Sequence, residues 1–162
     1  MSPNAHITEL SALAELAMNQ SLWCERAAEA VEDLVLTGHL SDLSRARTLL
    51  RLELEAKVRA MGGVPVVRFA GGGGLNGLHA ATRLDVVPDA ELILHQIDEA
   101  ENELCAALIG CDALGTVDPM TRLGAIIDGI TEARQAFGSA PSDFQWNSWG
   151  FDKTVGIRSV AR

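Results

Sequence analysis

Residues 7–35, ITELSALAELAMNQSLWCERAAEAVEDLV, decide the fold. Core-type side chains fall at Ile7, Leu10, Ala14, Ala17, Ser21, Cys24, Ala28, Val31 and Val35. The steps alternate between three and four, the rhythm of one face of an amphipathic α-helix. This spacing predicts a helix over about residues 6–36. Thr37-Gly38-His39-Leu40-Ser41 reads as a short break, after which Leu43, Ala46, Leu50, Leu54, Lys57 or Val58, and Met61 resume the rhythm over about 41–61. Gly62-Gly63 and Pro65 end that second helix. A connection this short makes the two helices antiparallel neighbours.

Residues 62–88 form a Gly-rich link that includes the Gly71 to Gly74 run, with room for a short helix near Leu75 to Leu84. Asp89 is placed to cap a third helix over about 89–110, with Ile93, Ile97, Ala100, Leu104, Ala107 and Cys111 inward. Asp118-Pro119 is placed to open a fourth over about 119–137, with Leu123, Ile127, Ile130, Arg134 and Phe137 on its inner stripe. Gly124 and Gly129 each weaken that helix by up to about 1 kcal/mol and read as sites of close helix contact. The expected fold is all-α, an antiparallel four-helix bundle over residues 1–137 followed by a tail over 138–162. Two hairpins joined by a long connection fit either a crossover that makes helices two and three parallel or a plain up-and-down order.

The chain carries a formal charge of −9 over 162 residues. Its tail has two acids (Asp143, Asp152) and three bases (Lys153, Arg158, Arg162), leaving −10 on residues 1–137. A body this acidic argues against nucleic-acid binding. Three cysteines without a Cys-x-x-Cys spacing read as reduced residues, with Cys24 and Cys105 among helical apolar positions. The absence of an export-type segment or an eighteen-residue apolar run predicts a cytoplasmic chain with no membrane span. The glycine run is followed by no Gly-Lys-Ser or Gly-Lys-Thr and preceded by no strand, so it reads as a crossover rather than a phosphate cradle.

Ala27-Ala28-Glu29 in helix one, Leu54 through Pro65 at the end of helix two, the Gly-rich link and Glu99-Ala100-Glu101 together resemble a small bacterial ferritin-like family of unassigned function. The resemblance implies a four-helix bundle that self-associates, with iron as its cofactor and ferroxidase-type chemistry as its reaction class. The ferritin-like di-iron design uses carboxylates from two helices and a Glu-x-x-His from each of the other two. This chain contains no Glu-x-x-His. His39 falls in the expected turn, and His95 is rotated away from Ile93 and Ile97. On a helical wheel Glu25, Glu53 and Glu101 flank the core stripe at roughly 70° from its centre. They are the metal-ligand candidates. Helix four supplies no inward acid; its inward polar residue is Arg134, expected to pair with Glu101, or with another of these acids, as a fixed positive charge in place of a metal.

The final residues, Thr154-Val155-Gly156-Ile157-Arg158-Ser159-Val160-Ala161-Arg162, alternate in polarity around a glycine. Over about six positions they resemble the cargo-loading peptides of encapsulin nanocompartments. Bound extended, Val155, Ile157 and Val160 would reach apolar pockets, while Gly156 lets the backbone lie close to the receiving wall. Phe144, Trp146, Trp149 and Phe151 fall within eight residues of a chain with only seven aromatics. Trp146, Trp149 and Phe151 are thus candidate partner anchors. The implied function is that of an encapsulin cargo protein, inside the shell, with a role in iron binding, oxidation or storage. The alternative is a catalytically silent helical scaffold or adaptor that holds a protein partner through its aromatic tail.

Overall fold

The structure, a computed structural model, describes residues 2–65, 90–115, 118 and 120–138, the last six as backbone only. It is all-α, with no strand among the described residues. Helix α1 spans Pro3–Ala30, α2 Leu34–Ala60, α3 Ala90–Ile109 and α4 Arg122–Gly138, with a short 3-10 turn at Asp112–Leu114. The expected short helix near 75–84 and the cap at Asp89 lie outside the described residues.

The break between the first two helices is at residues 31–33 rather than 37–41. Asp33 sets it: its carboxylate accepts from the backbone N–H groups of Val35 and Leu36, both at 2.9 Å. That cap satisfies two of the donors that open a helix and fixes α2 to begin at Leu34. Thr37 and Ser41 then lie within the helix, where their hydroxyls donate to the carbonyls of Asp33 and Thr37. Residues with turn-like composition are absorbed because their side chains bond back to the helix instead of competing with it.

The end of α2 follows the glycine signal. Gly62 adopts φ +79°, in the left-handed region, and the N–H of Gly63 donates to the carbonyl of Val58 at 3.0 Å. A Cβ on Gly63 would lie 3.0 Å from Ile7 and Val58, so this turn closes tightly over the start of α1. At the other hairpin, Thr121 caps α4 by accepting from the N–H of Gly124 at 3.1 Å. The expected opener, Asp118, shapes the preceding turn by accepting from the N–H of Met120 at 2.8 Å. Gly129 does not serve a close contact, because a Cβ there would meet nothing within 4 Å.

Helix α1 folds back along α2 and also meets α3, while α4 lies against α2 and α3. The core is divided along the helices. One apolar cluster gathers Leu10, Leu13, Leu50, Leu54, Val58, Leu104, Leu108, Leu123 and Ile130. A second gathers Trp23, Cys24, Ala27, Leu36, Leu40, Ile93 and Ile97. Where each of α1, α2 and α3 passes from one cluster to the other, it carries polar residues.

Candidate functional site

Those polar residues form a belt across the middle of the helices. Gln20 on α1 and Arg47 on α2 are 1% and 3% exposed. Arg47 Nε donates to Gln20 Oε1 at 3.1 Å, and Gln20 Nε2 donates to the carbonyl of Ala100 on α3 at 2.9 Å. The guanidinium Nη2 of Arg47 forms an ion pair with Glu101 Oε1, whose side chain is 12% exposed. One amide and one guanidinium therefore tie three helices at the same level. Beside them, Ser21 Oγ contacts Thr48 Oγ1 at 2.8 Å and the carbonyl of Ser44 at 3.0 Å. The hydroxyls of the α1/α2 seam are thus paired across it.

A buried guanidinium persists only when its charge and donors are met. Glu101 supplies the charge and Gln20 an acceptor. Burial still shifts the surrounding groups. It lowers the Arg47 pKa from its ordinary value. It pushes the Cys24 thiol up to about 12, against a smaller opposing effect of Arg47. It holds His39 down to about 3, with Arg47 adding to the same direction. Cys24 is thereby a neutral thiol and His39 a neutral imidazole near neutral pH. Neither is poised as a nucleophile or a general acid there.

The carboxylates singled out in the sequence are not brought together. Glu25 is exposed on α1. Glu53 on α2 pairs with Arg122 Nε at 3.1 Å, linking α2 to α4. Glu101 faces Arg47. Among the described residues, no three His, Cys, Asp or Glu side chains gather as a metal-binding group. This arrangement does not fit a di-iron group: a divalent ion beside Glu101 would sit against a fixed guanidinium charge. The Arg134 side chain lies outside the described residues, and the Glu101 partner among those described is Arg47. Val155, Gly156, Ile157, Val160, Trp146, Trp149 and Phe151 also lie outside them. His39 is within α2 and 1% exposed, because the Asp33 cap moved the expected turn away from it.

Sequence reading missed Gln20 and Arg47. The available signal was spacing: Leu40, Arg47, Leu50 and Leu54 keep the core rhythm, with Arg47 an intruder of the wrong polarity. Ala46 takes that position in the periodic pattern because alanine is compatible with a core and an unpaired arginine is not.

A second feature is a groove of about 520 Å³ between α1 and α3. Leu13, Leu16 and Ala107 form its apolar floor, Glu15 and Glu103 stand at its rim, and Cys111 closes one end. Burial raises the Glu103 pKa. Glu9, at the same end, accepts from the N–H of Ala113 at 3.2 Å and so fastens the turn after α3 to α1.

No helix among the described residues is long and apolar enough to cross a membrane. No protein-family model matches the chain, and neither a curated protein nor a solved structure is significantly similar to it.

Proposed function

We propose that this chain is a ferritin-like, antiparallel four-helix bundle that serves as a cargo or adaptor protein, delivered to an encapsulin shell by residues 154–162. Its interior holds a structural ion pair in place of a metal centre. The observation that carries the reading is the Arg47–Glu101 pair with Gln20, set at the level where α1, α2 and α3 converge. A fixed cation there does for helix register what a bridging metal does in a di-iron bundle, without redox chemistry. The contacts of Gln20 with both Arg47 and Ala100, and of Glu9 with Ala113, support a bundle in which α1 opposes both α2 and α3. Helices α2 and α3 are then parallel. The cargo assignment is supported by the resemblance of Val155 to Val160 to loading peptides and by the aromatics that precede them.

The test is size fractionation of a lysate from the native host, comparing the intact chain with a version ending at Ser142, both detected by antibody. The intact chain is expected in megadalton particles and the shortened one free at the size of the bundle. Both forms running small would overturn the cargo reading.

A further inference from the structure

The groove between α1 and α3 combines an apolar floor with an acidic rim, and among the described residues no basic one lines it. Its α1 wall runs from Glu9 to Asn19, about 15 Å at the helical rise of 1.5 Å per residue. That length takes about five residues of extended chain. Ala12, Ala107 and Gly110 put little side-chain bulk into its lining, which suits a backbone laid along it.

One segment of this chain has the matching chemistry. Residues 154–162 contain two arginines, no acid, and aliphatic side chains at the alternate positions Val155 and Ile157. In an extended conformation Val155 and Ile157 fall on one side, for the floor, while Arg158 falls on the other, toward the carboxylates. Reach is sufficient. Residues 139–153 span up to about 50 Å when extended, and α4, at 17 residues, is only about 25 Å long. The segment after Gly138 can therefore return along the whole helix and round α3 to the groove.

We propose that the groove between α1 and α3 is the resting site of residues 155–159 of the chain's own terminal segment, held in cis by apolar contact and by Arg158 against Glu15 and Glu103 until a receptor takes them. This rests on the reading of that segment as a docking peptide. It adds a level of control: a peptide that is shielded on the free protein is exposed to a shell only in competition with its own body. The acidic rim makes that competition sensitive to salt.

The test uses the purified full chain carrying Ala12→Cys and Ser159→Cys, oxidised with diamide, with Glu29→Cys replacing Ala12→Cys as the control on an exposed part of α1 outside the groove. The expected result is an intramolecular disulfide at the groove, mapped by peptide mass, forming about tenfold faster than in the control. It should fall to the control rate in about 1 M NaCl and in the Glu15→Lys, Glu103→Lys background. The salt arm needs no groove charge variant and so does not depend on that variant folding. Rates equal to the control, indifference to both salt and charge reversal, or disulfides formed only between two molecules would each overturn the proposal. The readout involves no shell, so it separates failure of the resting site from failure of the cargo reading.

Discussion

The two apolar clusters and the polar belt between them sit in the same helices, yet they are held by different physics. The cluster around Leu10, Leu50, Leu54 and Leu104 is stabilised by removal of hydrocarbon from water, an effect that tolerates exchange of one aliphatic side chain for another. The belt is held by Arg47, Gln20 and Glu101, each of which is costly to bury alone and acceptable only with the others in place. The clusters supply stability, while the belt supplies register. Sliding α2 by one turn would keep leucines against leucines but separate Arg47 from Glu101.

The sharpest way to break this contrast is to remove one partner of the belt. Glu101→Leu leaves the Arg47 guanidinium buried without a countercharge and is expected to destabilise the protein by about 3–5 kcal/mol in urea unfolding. The double variant Arg47→Met, Glu101→Leu removes both charges and should lie within about 2 kcal/mol of the parent, the remainder reflecting the lost partner of Gln20. If the single and double variants were equally unstable, the pair would not be the unit that holds the belt.

Within the cluster the response should be simpler. Leu54 is fully buried, and Leu54→Ala is expected to cost about 2–5 kcal/mol through lost burial and the cavity left behind. Leu54→Met, close to constant in volume, should cost less than about 1.5 kcal/mol. No such conservative exchange exists for the belt: Arg47→Lys keeps the charge but loses the fork that reaches Gln20 and Glu101 together. Unfolding of these three variants in parallel measures how far the two regions differ, and a mild Arg47→Lys would narrow the difference.

The same contrast explains what the sequence reveals. Leu10, Ala14, Ala17 and Cys24 on α1, and Leu50, Leu54 and Val58 on α2, are legible because apolar spacing reports a buried face directly. The end of α2 at Gly62-Gly63 is legible because a left-handed residue there favours glycine. The boundary between α1 and α2 is not, because Asp33 resembles any surface acid until the Val35 and Leu36 amides are seen to point at it. Periodicity places Glu101 beside the core stripe, but it cannot name the partner, which sits 54 residues earlier in the chain, on α2. Arg47 and Gln20 are not singled out by spacing, because polar residues in a helix usually face solvent. Their burial is a property of three helices together, not of any one stretch.

His39 offers the gentlest probe of the interior. Its imidazole is held down to about 3 by burial, with Arg47 acting in the same direction, while in the unfolded chain it titrates near its ordinary 6.5. Above pH 6.5 both states are neutral and the group adds no pH dependence. As the pH falls below 6.5 the unfolded chain takes up a proton that the folded protein refuses until about pH 3, so stability is lost across that interval. The slope approaches about 1.4 kcal/mol per pH unit. Most carboxylates titrate below about pH 5; Glu103, raised by burial, is the exception among the described acids, so the comparison with His39→Leu is what assigns the window from 6.5 to 5 to the imidazole. Urea unfolding at pH 7 and pH 5 should therefore differ by about 2 kcal/mol in the parent protein, and the difference should largely vanish in His39→Leu whatever that variant does to stability at pH 7. An equally steep decline in the variant would move the acid sensitivity to another group. The burial of His39 beside Arg47 would then have no titrating consequence of its own.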